Sequence, residues 1–223
     1  ARIALQRGGY SLQGTTMTRQ ADYLTYYTIA RQECLELMNQ RREHTLNPSY
    51  SDLWRGVNEQ RHDVANEIIF EVGMAGSTAT GDSKLGYYNG PRLQNSPTYG
   101  STQGAVTAVP TYFYAFDSTD VRRDITIAPY QFANGSNNQS GVALNTIYDG
   151  KFRRDWHNPP VPGTNNYLGY NWPLIRFADV LLMYAEADNE LNGPTTAARN
   201  ARYVQRHRER APTGVWRRRH PQV

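Results

Sequence analysis

Residues 171–194 read NWPLIRFADVLLMYAEADNELNGP, and this stretch decides the fold prediction. Pro173 suits the first turn of a helix, where its missing N–H costs nothing. Gly193 can adopt a left-handed cap, and Pro194 cannot continue a helix. The apolar residues between them recur with a period of 3.6, at Leu174, Ile175, Ala178, Leu181, Leu182 and Ala185. The pattern predicts one helix over residues 173–192 with five of these side chains buried: Leu174, Ala178, Leu181, Leu182 and Ala185.

Three charged residues lie beside this apolar stripe. Arg176 and Asp179 are separated by three positions, and Asp179 and Glu186 by seven, so all three fall near one face of a helix. Next to a dense apolar stripe, such groups most often bind loop carbonyls or a neighbouring helix. We therefore interpret them, together with Pro173, as scaffold rather than as ligand contacts.

The charge distribution disfavours a nucleic-acid-binding domain. The chain of 223 residues has a formal net charge of +4, but eight of its 24 basic residues and one of its 20 acidic residues follow Ala198. The first 198 residues therefore carry a net charge of −3. A nucleic-acid-binding domain needs a basic face on the fold itself, so the sequence predicts no nucleic-acid partner. Residues 199–223 are interpreted as a basic, atypical tail.

The rest of the chain divides into zones. Residues 1–60 are predicted to be helical, 61–172 loop-rich and 173–198 helical again, within one domain of residues 1–198. The first zone contains a second period-3.6 stripe and a short helix starting near Ser51, and Cys34 is expected to be a buried structural thiol. NEIIFEVG (66–73) is the best strand candidate, and helices are predicted at 107–116 and 195–210. The stripe comprises Tyr23, Tyr26, Tyr27, Ala30, Cys34, Leu37 and Met38.

Several of these segments resemble the SusD/RagB family of outer-membrane nutrient-binding lipoproteins. The stretch YNWPLIRFADVLLMYAEADNELNGP is similar to the family's signature helix, matching it at Pro173, Ile175 to Leu182 and Tyr184 to Ala187. RGGYSLQ, YYTIARQECLELM, NEIIFEV and FDSTDVRRD resemble further family segments in the same order. Family members are roughly twice as long, so we expect the chain to be a C-terminal portion, truncated at both ends.

The resemblance implies a mainly α-helical, SusD-like fold, with tetratricopeptide-like helix pairs, long ordered irregular loops and short strands. It implies non-catalytic capture of oligosaccharides or other nutrients at the outer-membrane surface and delivery to a SusC-like TonB-dependent transporter. Contact with the membrane would occur only through a lipid anchor that is not present in this chain. No cofactor is implied.

The residues themselves offer little for catalysis. No nucleophile elbow, zinc-protease, Cys-x-x-Cys or phosphate-loop motif occurs, and the five histidines are scattered, so no enzyme and no metal site is predicted. Asp117, Asp120 and Asp124 favour ion pairs with Arg122 and Arg123 over a calcium loop. Asp149 and Asp155 could be argued as a glycosidase pair, but the sequence does not give the carboxylate separation that such a mechanism requires.

Ligand binding is expected on the loop-rich zone, because loops held on a rigid scaffold commonly carry function. Sugars bind through aromatic rings that stack on their C–H faces and polar groups that bond their hydroxyls. Residues 84–100 and 151–160 contain this mixture; each ring could equally pack its loop onto the helices. The candidate ligand-binding residues are Tyr87, Tyr88, Asn89, Arg92, Asn95, Tyr99, Arg154, Asp155 and Trp156.

Two other classes remain open at this point. A tetratricopeptide-type adaptor that binds peptides would need repeats of 34 residues, and the long irregular zone interrupts that period. A glycan-processing enzyme would need a catalytic motif, which the sequence does not contain.

Overall fold

The computed structural model describes residues 1–40 and 43–193. It contains seven α-helices and ten short strands within those ranges. The helices are α1 (Arg2–Gly8), α2 (Tyr23–Asn39), α3 (Tyr50–Asn58), α4 (Leu85–Tyr88), α5 (Pro110–Tyr114), α6 (Arg122–Thr126) and α7 (Phe177–Asn192). The strands are β1 (Ser11–Gln13), β2 (Thr16–Thr18), β3 (Ile68–Val72), β4 (Leu93–Ser96), β5 (Gly100–Thr102), β6 (Ile127–Ala128), β7 (Tyr130–Phe132), β8 (Gln139–Gly141), β9 (Tyr148–Asp149) and β10 (Trp172–Arg176).

The ten strands form five two-stranded sheets, and the chain forms two compact units. The pairs are β1–β2, β4–β5, β6–β9 and β7–β8, all antiparallel, together with β3–β10. Among the described residues, the first unit contains those of 1–48, 65–69 and 175–193; the second contains Ser49–Val64 and Phe70–Leu174. The helix predicted for 195–210, the tail and Pro194 lie outside the described residues.

The first unit is built on the packing of α2 against α7. Cys34 and Met38 of α2 are buried against Phe177, Val180 and Leu181 of α7. A second cluster joins Ala4, Tyr27, Ala30 and Ala187. The predicted α2 stripe is confirmed, because Tyr27, Ala30, Cys34 and Met38 are its buried positions. Burial also raises the pKa of the Cys34 thiol to about 11, which suits a structural thiol.

The signature stretch begins differently from its prediction. Trp172–Arg176 is strand β10, and the helix begins at Phe177. The expected burial of Leu174 and Leu182 is wrong, since 37% and 66% of these residues is exposed, whereas the burial of Leu181 is confirmed at 2%. Ala178 and Ala185 are half-buried. The helix ends as predicted: Gly193 has φ 77° and its N–H donates to the Asn189 carbonyl at 2.9 Å.

The second unit holds the loop-rich zone on short hairpins and a small aromatic core. Trp54 of α3 lies edge-on to Phe152 at 5.9 Å between ring centroids. The predicted strand at NEIIFEVG is confirmed as β3, and the predicted helix at 107–116 is shortened to α5. A short helix near Ser51 is confirmed as α3, capped by the Ser49 hydroxyl, which accepts from the Asp52 N–H at 3.1 Å.

Candidate ligand-binding site

Tyr87 and Tyr88 form an aromatic pair on α4. Their ring centroids are 5.1 Å apart and the ring planes meet at 70°. Tyr87 is half-buried, whereas Tyr88 is 41% exposed. The carbonyl of Tyr87 accepts from the Gln103 N–H at 2.8 Å and that of Tyr88 from the Ala105 N–H at 2.7 Å. The pair is therefore presented from a backbone that is fixed on both residues.

A close approach at Gly86 sets the position of α4. A Cβ atom at Gly86 would collide with the ring of Tyr170, so only glycine allows this contact. Tyr170 is almost fully buried, and burial raises the pKa of its phenol. Gly86 is thus the residue that lets the helix with the two tyrosines pack onto the interior.

Asn89 helps to hold the same loop through one hydrogen bond of its amide group. Its side-chain Nδ2 donates to Oδ2 of Asp149 at 3.1 Å, and the Gly90 N–H donates to Oδ1 at 2.8 Å. Burial raises the pKa of Asp149, and the two hydrogen bonds oppose that shift. Asp149 therefore has a structural role, because it holds the loop that follows α4. Asn89 is half-buried beside the tyrosine pair.

Arg92 directly precedes β4, Tyr99 lies in the turn between β4 and β5, and the two residues differ in exposure. Arg92 is exposed, its Nε lies 3.0 Å from the side-chain amide of Gln94, and its carbonyl accepts from the Phe132 N–H at 2.9 Å. Tyr99 is half-buried, with its ring edge-on to Phe132 at 5.7 Å. Arg92 therefore offers a cationic group at the surface, and Tyr99 mainly packs the hairpin.

An amide-rich network borders this hairpin, and sequence reasoning found only one member of it. Asn95 donates to Asn134 Oδ1 at 3.2 Å, and Asn137 accepts from the Ser96 hydroxyl at 2.6 Å. Asn137 also donates to the Thr98 hydroxyl at 2.7 Å. The run NGSNN at residues 134–138 was the available signal, but only the fold brings it beside residues 95–98. Exposed amides of this kind suit the hydroxyls of a sugar.

Arg154 is fully buried. Its Nε donates to the Tyr99 carbonyl; Nη1 donates to Ser101 at 3.2 Å and Asn165 at 2.6 Å; Nη2 donates to Val161 at 2.9 Å and Gly163 at 3.3 Å. All five guanidinium donors are thus occupied by backbone carbonyls. Burial lowers the pKa of Arg154 from its ordinary value. Arg154 binds loops together and presents no donor to a ligand.

Trp156 and Asp155 also lie within the unit. Trp156 is 7% exposed, with the Arg153 guanidinium 4.2 Å and the Arg55 guanidinium 4.7 Å from its ring. Oδ2 of Asp155 accepts from the Tyr130 hydroxyl at 2.9 Å, and burial raises the pKa of this carboxyl. Because these side chains are buried, they offer a sugar no ring face and no carboxylate edge. We therefore do not retain Arg154, Asp155 and Trp156 in the candidate site.

Arg176 and Asp179, two of the charged residues of the signature stretch, make hydrogen bonds within the scaffold. Arg176 Nη1 donates to Glu67 Oε1 at 2.9 Å, and its backbone N–H donates to Asp179 Oδ2 at 2.8 Å. Asp179 thereby caps the first turn of α7. Glu186 is exposed on the same helix, and Pro173 lies in β10.

The FDSTDVRRD segment forms local ion pairs, as the sequence predicts. Arg122 Nη2 lies 2.6 Å from Asp120 Oδ2, and Arg123 Nε lies 2.9 Å from Asp124 Oδ1. Among residues 1–40 and 43–193, no group of three or more His, Cys, Asp or Glu side chains is arranged to hold a metal ion. In the same ranges no helix has the length and apolar character needed to cross a bilayer.

Comparison with known proteins confirms the family resemblance. The SusD family model matches residues 128–215. The SusD-like protein P25 of Formosa agariphila is 28% identical and covers 80% of this chain. The chain spans only 37% of that relative.

Solved structures confirm a SusD-like fold. A SusD homolog from Bacteroides thetaiotaomicron matches with a TM-score of 0.73 and 20% identity, covering 96% of this chain and 44% of its own. The surface glycan-binding protein A from the same organism, solved in complex with laminarihexaose, matches with a TM-score of 0.55 and 14% identity, covering 93% and 51%.

Proposed function

We propose that this chain captures oligosaccharides without altering them chemically. The observation that carries the proposal is the exposed ring of Tyr88. It stands beside Tyr87 on a fixed backbone, in the same loop as Arg92. A sugar needs an aromatic face for its C–H groups and nearby donors and acceptors for its hydroxyls. Tyr88 supplies the face, and Arg92 and the amides of Asn89 and Asn95 supply the polar groups.

A fixed backbone favours binding because less freedom is lost when the ligand docks. Asp149 holds the loop after α4 through Asn89 and Gly90, and the carbonyls of both tyrosines are already hydrogen-bonded. The rings therefore need no backbone rearrangement to meet a ligand. We retain Tyr87, Tyr88, Asn89, Arg92, Asn95 and Tyr99 as the proposed site.

The cellular setting is part of the same proposal. The SusD family match supports a location at the outer-membrane surface, tetratricopeptide-like pairing of the helices, and delivery of the ligand to a SusC-like TonB-dependent transporter. The glycan-binding protein solved with laminarihexaose supports an oligosaccharide as the class of ligand. Each of these assignments concerns a protein longer than this chain.

Calorimetric titration with a panel of oligosaccharides tests the proposal. Tyr88→Ala should weaken binding about 5- to 150-fold, by analogy with the loss of one stacked base. Tyr114→Ala is the matched control, because Tyr114 is 69% exposed and lies outside the proposed site. Both variants should melt within a few degrees of the parent chain. Equal affinity for the parent and Tyr88→Ala would contradict the proposed site.

A further inference from the structure

Trp172 is the one tryptophan of the described residues that keeps a large exposed surface. The chain has four tryptophans, and Trp54 and Trp156 are buried in the second unit, whereas Trp172 is 41% exposed. An exposed indole is the largest apolar surface that a single side chain offers. Its setting decides whether that surface is organised for a ligand.

The Trp172 ring lies flat on a buried partner. Its centroid is 5.6 Å from that of Phe152 and the two planes differ by only 11°. Phe152 is buried and contacts Trp54 edge-on at 5.9 Å, and the Lys151 ammonium lies 4.6 Å from the Trp54 ring. Phe152 therefore covers one face of the Trp172 ring and holds the ring in this orientation. The opposite face is the one that solvent reaches.

Strand alternation places further apolar side chains on the same side of the β3–β10 pair as Trp172. Asn171 Nδ2 donates to Glu71 Oε1 at 2.7 Å, so these two side chains point to the same side of the β3–β10 pair. Because successive side chains alternate, the neighbours of Asn171 and Glu71 point to the opposite side. That side carries four exposed apolar residues: Phe70, Val72, Trp172 and Leu174.

We propose that Trp172, stacked on Phe152 and on the same side of the β3–β10 pair as Phe70, Val72 and Leu174, is a platform for a neutral sugar ring with equatorial hydroxyls, as in a gluco-configured oligosaccharide. This subsite rests on the proposed oligosaccharide capture. A sugar ring with equatorial hydroxyls presents flat C–H faces, which match a fixed indole face. A carboxylate or sulfate placed over these four apolar side chains would be desolvated without a partner, so the platform disfavours charged sugars.

Indole ¹H–¹⁵N NMR of the 223-residue chain tests the platform without altering it. The tryptophan signals are assigned by single Trp→Phe variants, and the chain is titrated with laminarihexaose, with cellohexaose, and with a galacturonic acid hexamer as the charged comparison. The Trp172 indole signal should move with the neutral hexasaccharides, while those of the buried Trp54 and Trp156 stay in place. Trp172→Ala should weaken binding of the same neutral ligand about 5- to 150-fold, Trp172→Phe less, and Tyr114→Ala not at all.

The outcomes separate the platform from the broader function. Calorimetric binding of a neutral hexasaccharide with an unmoved Trp172 signal and an unchanged Trp172→Ala affinity would overturn the platform and leave oligosaccharide capture standing. An equal response to the galacturonic acid hexamer would overturn its preference for neutral sugars. Absence of binding to any oligosaccharide would overturn both the proposed function and the platform. The melting temperature of Trp172→Phe, expected to be close to that of the parent chain, shows that the ring exchange leaves the fold intact.

Discussion

Arg176 and Glu67 are 109 positions apart in the chain, yet Arg176 Nη1 donates to Glu67 Oε1 at 2.9 Å. Glu67 is buried, and its second oxygen accepts from the Asn47 N–H at 2.7 Å. The Glu67 carbonyl accepts from the Phe177 N–H at 2.7 Å. One residue at the start of the NEIIFEV segment thus holds the start of α7, so two segments that resemble the family meet at a single buried ion pair.

Breaking this ion pair should destabilise the fold strongly. Arg176→Ala removes from the buried Glu67 carboxylate a cation that it binds at 2.9 Å, and breaking a buried ion pair typically costs about 3–5 kcal/mol. Equilibrium urea unfolding measures the difference. Arg61→Ala is the control, because the Arg61 side chain is 46% exposed and its pairs with Asp52 and Glu59 should each contribute no more than about 1 kcal/mol. Similar losses for the two variants would contradict a structural role for Arg176.

Adjacent leucines of α7 provide a matched test of the helix face. Leu181 is 2% exposed and Leu182 is 66% exposed. Leu181→Ala should lower the free energy of unfolding by about 2–5 kcal/mol through loss of buried methyl groups and formation of a cavity. Leu182→Ala should change it by no more than about 0.5 kcal/mol. Denaturant titration measures the free energy of unfolding of both variants. A larger loss for Leu182→Ala than for Leu181→Ala would mean that the helix buries the face that carries Leu182.

The apolar period predicts the helix but not which residue begins it, and therefore not which face of it is buried. The apolar stripe of the sequence starts at Leu174, which lies in β10, whereas the buried face of α7 starts at Phe177 and continues through Val180, Leu181, Tyr184 and Ala187. Pro173 suits a strand edge as well as a first helical turn. The pairing of β10 with β3 joins segments about a hundred residues apart, so no local period reveals it.

The candidate site likewise contains residues that the local sequence suggests and residues whose burial depends on distant segments. Residues 84–92 form the short helix α4 and the turn after it, where Tyr88 and Arg92 are exposed, and composition suggests this segment directly. Arg154 and Trp156 were chosen for the same composition, but carbonyls from residues 99–101 and 161–165 enclose Arg154 and two arginines cover Trp156. Burial of that kind depends on distant segments. The flat stack of Trp172 on Phe152 depends on them too.

Arg154 should be indispensable to the loops that it joins. Arg154→Met keeps the volume and removes all five donors, and each buried carbonyl left unpaired costs about 1–3 kcal/mol. We expect a loss of about 3 kcal/mol or more and faster hydrogen exchange at residues 99–102 and 161–167. Arg123→Met is the control, since Arg123 pairs with an exposed carboxylate at the surface. Unchanged exchange in Arg154→Met would contradict this role.

Asp155 should make stability fall as the pH rises. Burial raises its folded-state pKa, so the folded protein holds this proton to higher pH than the unfolded chain does. The stabilisation from this proton is fully present at pH values below the pKa in the unfolded chain, about 3.9. It is lost as the pH rises through the higher pKa of the folded state. Asp155→Asn should flatten that part of the profile, because it removes the titrating group. Thermal melts at closely spaced pH values measure the slopes, and identical profiles for the parent chain and Asp155→Asn would contradict the assignment.

Native mass spectrometry of the 223-residue chain with neutral hexasaccharides tests the central claim most directly, because one spectrum reports both capture and integrity of the ligand. We expect a complex whose mass equals that of the chain plus one intact hexasaccharide. The complex should persist through prolonged incubation with no shorter saccharides in solution. Absence of any complex across the panel, or the appearance of shortened saccharides in step with the amount of protein, would contradict non-catalytic oligosaccharide capture.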